Sequence, residues 1–294
     1  MLPPDAALHT LHFDAIGTSW QIDSVVLLTP QQRTAVHKRI DAFDRAYSRF
    51  RDDSLVGALA REGGSVRFPD DLPPLYEVYA ALHDATGGVM TPLVGASLEQ
   101  LGYGRDYRLT PAGPALASPR FDRVEIDGTT LTVDAPALID FGAAGKGYLV
   151  DLVADELANL GIVEFTIDAS GDLLHTAEPP LRVALEHPYD STKAIGIAEI
   201  SGGAICGSAA NRRAWGNGLH HVLDGLTGEP VRETVATWVT AATALHADAV
   251  ATALFFEDAE TIADATGWRF EAVRMSTDGR VEVTSGFPGE LFTR

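Results

Sequence analysis

A single cysteine, Cys206, stands in a chain of 294 residues, which excludes an intramolecular disulfide and any multi-cysteine metal site. Cys206 is expected to pack as a small buried apolar residue. No apolar run approaches the ~20 residues that cross a membrane, so no membrane anchor is expected. The opening Met1-Leu2-Pro3-Pro4-Asp5 lacks a basic stretch followed by an apolar core, and no cysteine there suits lipid attachment. These features predict a cytoplasmic protein. Basic residues are also scarce, 22 against 41 acidic, for a net charge of −19. That field opposes nonspecific binding to nucleic acid or anionic lipid, and no nucleic-acid partner is expected. It leaves room for a phosphate ligand, because a divalent metal and local N–H groups reverse the sign inside a cleft.

Several signatures of chemistry are missing as well. There is no Walker A sequence and no Gly-x-Gly-x-x-Gly after a strand. Ser170 and Ser208 have glycine neighbours but no Gly-x-Ser-x-Gly elbow, which argues against a serine hydrolase. His220-His221 has no third histidine at metal-ligand spacing, which argues against zinc.

What remains is a chain with 46% hydrophobic residues and the patterning of a globular protein. Residues 8–28 alternate as a hairpin turning at Gly17-Thr18. Thr29-Pro30 caps a helix running to about Arg51, and a short helix spans Leu55–Ala60. Another helix starts at Pro73-Pro74 and stops at Thr86-Gly87-Gly88. Residues 89–121 read either as a ligand-facing irregular region or as a long surface excursion. Arg123–Val133 is a hairpin about Asp127-Gly128. A helix from Tyr148 to Leu160, strands near 163–167, 181–186, 195–200, 203–206 and 234–241, helices at 247–256 and 258–265, and a terminal hairpin complete the chain. Strands and helices do not alternate strictly, so the fold class is α+β rather than doubly wound. The prediction is one domain over 1–294, with any division into two lobes near 105–120, where prolines and glycines cluster.

Three constellations carry chemistry. Asp140-Phe141-Gly142-Ala143-Ala144-Gly145-Lys146-Gly147-Tyr148 joins a strand-like run to a helix through three glycines. It reads either as backbone N–H groups facing an anion or as a tight turn with its lysine in solvent. Asp248 and Thr252, four apart on a predicted helix, share one face. They read as two oxygen ligands for a hard cation such as Mg²⁺, or as a first-turn acid above an interior threonine. His220 and His221 point to opposite faces of a strand, one free to act as base or ligand contact.

These pieces, in this order, resemble the ApbE family of FAD:protein FMN transferases. The resemblance rests on Gly17-Thr18, Ser48-Arg49-Phe50-Arg51-Asp52-Asp53-Ser54, Thr86-Gly87-Gly88-Val89-Met90-Thr91-Pro92 and Asp140 to Tyr148. It continues through Ala169-Ser170-Gly171-Asp172, the run His220 to Pro230, and Ala247 to Leu254. It implies an α+β fold with mixed sheets and a cleft between two lobes. FAD would bind there as substrate, with Mg²⁺ at its pyrophosphate. FMN would pass to a Ser or Thr hydroxyl of an acceptor protein, with release of AMP; some members instead hydrolyse FAD to FMN and AMP. By the same resemblance the metal ligands are Asp248, Thr252 and the main-chain carbonyl of Ala143. Flavin and phosphate contacts are Phe50, Val89, Met90, Thr91, Asp140, Lys146 and Val222. His221 is the proton acceptor, with His220 as the alternative.

The chain departs from the family pattern at Ile16 (usually Met), Thr91 (usually Asp) and Ala60 (usually Asn). Its Thr-Ser-Gly-Asp-like run is Gly207-Ser208-Ala209-Ala210. These changes bear on whether transfer, hydrolysis or flavin binding alone dominates.

Overall fold

In the computed structural model, which describes residues 8–292, the alternating N-terminal stretch folds as a hairpin of β1 (His9–Ala15) and β2 (Thr18–Ser24). The reading of Met1–Asp5 lies outside the described residues. The hairpin turns on Ile16 (φ 46°) and Gly17 (φ 77°). Glycine takes this left-handed geometry freely, whereas β-branched Ile16 is strained there. Helix α1 (Pro30–Tyr47) starts as predicted at Thr29, whose side chain and that of Gln32 form a reciprocal capping box. Next come α2 (Leu55–Glu62), β3 (Gly64–Arg67), α3 (Leu72–Ala85) and the short α4 (Gly95–Gln100). The predicted hairpin forms as β4 (Val124–Asp127) and β5 (Thr130–Val133), with β3 added on the free edge of β5.

The glycine-rich turn then feeds α5 (Gly145–Asn159), followed by β6 (Phe165–Asp168) and β7 (Asp172–His175). Strands β8 (Leu181–His187), β9 (Asp190–Ile200) and β10 (Gly203–Ala209) follow. A small ladder joins β11 (Ala214–Trp215) to β12 (Leu219–His220). The rest is β13 (Thr234–Ala241), α6 (Ala244–Ala253), α7 (Ala259–Thr266), β14 (Phe270–Ser276), β15 (Val281–Val283) and β16 (Gly289–Leu291).

Among the described residues the main sheet has eight strands in the order β1-β2-β6-β7-β10-β13-β14-β15, all neighbours antiparallel. The fold is α+β, as predicted. Period-2 alternation gives the sheet two apolar faces. Cys206 and Val239 face a core shared with Leu149 and Val153 of α5 and Val250 of α6. Their chain neighbours Ile205 and Trp238 face the other way, onto Leu185, Ala198 and Ile200 of the three-stranded sheet β8-β9-β16. The fully buried alanines 247, 249, 251 and 253 let α6 lie close between α5 and the sheet.

Sequence patterning passed over β3, β7 and β16, whose three or four residues are too short to show a period. α5 starts at Gly145 rather than Tyr148, and α6 at Ala244 rather than Ala247, because Thr243 caps it by accepting from the His246 amide. The stretch near 105–120 is tied back to its neighbours. Leu109 N donates to Gly102 O at 2.9 Å, Leu116 N to Ser97 Oγ at 3.0 Å, and Ser118 N to Gly225 O at 2.8 Å.

Candidate active site

The β1–β2 turn, the exit of α1, the 90–109 segment and the Asp140–Lys146 turn surround one side of a cavity of about 1280 Å³. The ends of β6, β7 and β10, strand β8 with the turn after it, the 213–223 segment and α6 line the rest. That volume exceeds the few hundred to ~1,000 Å³ usual for a small-molecule pocket and has room for a dinucleotide.

Along one wall, Asp248 and Thr252 project from α6 on the same face, as their spacing predicts. Thr252 Oγ1 lies 3.4 Å from the carbonyl oxygen of Ala143 and 3.5 Å from Ser208 Oγ. Asp248, 5% exposed, accepts a 2.8 Å hydrogen bond from Gly147 N. Ala143, Asp248 and Thr252 all line the cavity and offer only oxygen, the donor type that Mg²⁺ prefers. Burial, and then the charge of Asp172, push the Asp248 carboxyl well above the ordinary range, and Lys146 only partly offsets them. A cation placed here would relieve that imbalance. Among the described residues no group of three or more His, Cys, Asp or Glu is arranged to hold a metal. This corner, with one carboxylate, a hydroxyl and a carbonyl, is of another kind.

The Asp140–Tyr148 turn differs from the open anion cradle that its glycines suggest. Gly142 N donates to Asp140 Oδ1 at 2.6 Å and Ala143 N to Tyr79 Oη at 3.1 Å. Gly145 N donates to Phe141 O at 2.7 Å, and Gly147 N to Asp248. These amides are spent within the protein. Lys146 Nζ pairs with the Asp172 carboxylate and donates to Ala169 O at 2.9 Å.

Asp140 lines the cavity, but its carboxylate is held by the Arg49 guanidinium and Gly142 N. Burial raises its pKa, yet the Arg49 charge and the Gly142 hydrogen bond outweigh burial and leave it below the usual carboxylate range. Arg49 is 4% exposed, donates to Tyr103 O at 2.8 Å and lies 4.1 Å over the Phe50 ring. An arginine in a polar helix exit reads in sequence as solvated, which is why only the fold reveals it as a wall residue.

The two histidines separate cleanly. His220 Nε2 lies 2.7 Å from Val231 O, and its Nδ1 accepts from Val222 N at 3.3 Å, so both nitrogens serve the backbone. His221 lines the cavity with its Nδ1 buried and without a hydrogen-bond partner. Burial first, and the Arg213 charge second, lower its pKa to about 3.

Phe50, Met90, Thr91 and Val222 also line the cavity. Thr91 Oγ1 accepts from Leu93 N at 3.2 Å, capping the turn that precedes α4. Val89 does not line the cavity; its carbonyl accepts from Gly225 N at 2.8 Å. Sequence reasoning missed Tyr103, Tyr107 and Trp215. Tyr107 stacks on Phe50 at 5.5 Å and 9°, and Tyr103 on Trp215 at 5.5 Å and 19°. Trp215 reaches this wall through a 2.8 Å bond to Leu101 O, a contact across 114 residues that no local pattern encodes.

Oxygen donors and a histidine of lowered pKa lining one cavity of this size suit a hard cation and a polyphosphate-bearing ligand. The ApbE family profile matches residues 16–272, and the chain belongs to the ApbE family. It is 26% identical over 270 residues to the FAD:protein FMN transferase of Klebsiella pneumoniae strain 342, across 83% of this chain and 77% of that one. It is 32% identical over 236 residues to the FAD:protein FMN transferase of Escherichia coli K12, across 69% and 67%. The crystal structure of the ApbE protein of Thermotoga maritima shares the fold, with a TM-score of 0.83 at 21% identity and coverage of 97% and 100%.

Proposed function

We propose that this protein transfers FMN from FAD to a Ser or Thr hydroxyl of an acceptor protein, with Mg²⁺ as the metal and AMP as the leaving product. The observation that carries the reading is the Ala143 carbonyl 3.4 Å from the Thr252 hydroxyl, with Asp248 one helical turn before Thr252, all lining a dinucleotide-sized cavity that His221 lines too. A divalent cation held by those three oxygens would neutralise charge on the pyrophosphate. His221, kept neutral by its burial, accepts the proton of the incoming hydroxyl. Its depressed pKa rises once anionic phosphates enter the cavity, which brings it toward the range of an effective base. The hydroxyl oxygen bonds to the phosphorus of the FMN half, the bridging P–O bond to the AMP half breaks, and AMP departs with the bridging oxygen. Arg213, which also lines the cavity, adds positive charge beside His221.

The test is to incubate the protein with FAD, Mg²⁺ and a supplied acceptor domain and to resolve the products. AMP together with flavin bound covalently to the acceptor supports transfer. AMP with free FMN assigns the protein as an FAD pyrophosphatase, and unchanged FAD that stays bound assigns flavin binding without turnover.

A further inference from the structure

Lys146 sits in the first turn of α5, where the obvious role for it is contact with an anionic ligand. Its surroundings point inward instead. Nζ pairs with the Asp172 carboxylate and donates to Ala169 O at 2.9 Å, so its partners are the turn after β6 and the first residue of β7. That turn is itself braced, with Ala169 N on Asp172 O at 2.9 Å and Gly207 N on Gly171 O at 3.0 Å. Asp172 is 1% exposed, and neither carboxylate oxygen makes a well-directed hydrogen bond, so the Lys146 charge is its compensation. Asp248 is held next along the chain from Lys146, on the amide of Gly147 at 2.8 Å, so the Asp172 charge raises its pKa and the Lys146 charge lowers it. One ammonium thus stands between two buried carboxyl groups, in the wall that holds Thr252 and the Ala143 carbonyl.

We infer that Lys146 is a positioning residue that acts through Asp172. It offsets Asp172 so that the Asp248 carboxylate stays on Gly147 N, facing the oxygen corner, rather than being pushed aside. Its task is to balance charge at the cation corner, and contact with the substrate phosphate is secondary. The inference rests on the cation reading proposed above, but its test does not require turnover. Breaking one partner of a buried pair leaves the other uncompensated, whereas removing both leaves no stranded charge. The double change therefore separates this role from a ligand contact.

Four proteins are compared without flavin: the wild type, Asp172→Asn, Lys146→Met and the double variant. Mn²⁺ is titrated by electron paramagnetic resonance, and Tm is read by calorimetry. Asp172→Asn leaves Lys146 unopposed beside Asp248, and Mn²⁺ affinity is expected to fall about tenfold, the scale of one charge contact in a partly screened site. In the double variant both Mn²⁺ affinity and Tm return toward the wild-type values, while Lys146→Met alone has a depressed Tm. A double variant as weak as Asp172→Asn overturns the inference, because Asp172 would then be contacting the metal itself. So does a Lys146→Met protein with unchanged Mn²⁺ binding and Tm but a raised KM for FAD. A wild type that binds no Mn²⁺ sinks the cation reading, whereas additive Tm effects at 146 and 172 sink this inference whatever Mn²⁺ does.

Discussion

The amide of Gly147 donates a 2.8 Å hydrogen bond to Asp248 Oδ2, locking the first turn of α5 to the face of α6 that carries Thr252. Only glycine permits this approach, because a Cβ at 147 would lie 2.2 Å from Ala244 O and 2.5 Å from the Asp248 Cβ. Gly147→Ala is therefore expected to push the helices apart, at about 1–3 kcal/mol or more. For a chain of this length, each kcal/mol lowers Tm by roughly 2–4 °C. Thermal melts with and without Mg²⁺ check the idea, and the metal-induced rise in Tm should shrink along with the basal Tm. A variant with wild-type Tm and a full metal response would show that the packing is not tight.

The neighbouring histidines should behave oppositely on substitution. His221→Ala removes a nitrogen that has no partner in the protein, so stability should hold or rise while turnover falls by roughly 10²–10⁴-fold. His220→Ala removes two backbone hydrogen bonds and should lower stability by about 1–3 kcal/mol. Urea melts paired with product assays on both variants separate the two roles. Equal loss of turnover at 220 and 221 without loss of stability would sink the assignment.

Two partly buried groups give pH dependences of opposite sign. The His221 pKa falls to about 3 in the folded chain, against roughly 6.5 unfolded, so the unfolded state binds more protons between those values. Its contribution to stability is present above pH ~6.5 and is lost as pH falls toward 3. Burial raises Asp151 to about 6 despite its 2.8 Å hydrogen bonds from Ala244 N and Leu245 N. Here the folded state binds the extra proton, so this contribution is full below pH ~3.9 and is lost as pH rises through about 6. Urea midpoints from pH 4 to 8 should slope less upward with pH in His221→Gln and less downward in Asp151→Asn. Unchanged slopes would contradict the burial of either group.

Arg49 and Asp140 form a buried pair in which neither member is easily spared. Asp140→Asn leaves a guanidinium at 4% exposure without its counter-charge, at a cost of about 3–5 kcal/mol. Replacing both, as Arg49→Met with Asp140→Asn, should recover most of that loss. Guanidinium denaturation of Asp140→Asn, Arg49→Met and the double variant gives the coupling, and a fully stable Asp140→Asn would show that the pair does not hold this wall together.

Much of the architecture was legible in the sequence because local physics encodes it. The capping box at Thr29, the spacing of α1, the Asp127-Gly128 hairpin and the strand Thr234–Ala241 all follow from dihedral preference and apolar period. So does the shared face of Asp248 and Thr252, which helical geometry alone dictates. The class of fold followed from the order of strands and helices, whereas the family followed from the resemblance of its ordered motifs. The tertiary structure decided where each charge is spent. Whether Lys146 meets solvent, ligand or Asp172 depends on a turn more than twenty residues away, and whether Asp140 is free depends on Arg49, 91 positions earlier. The choice between His220 and His221 came from Val231 O and a buried wall, and the aromatic side of the cavity from Trp215 reaching Leu101. Those pairings lower the energy only once distant strands have met, so no run of residues carries them in its own pattern.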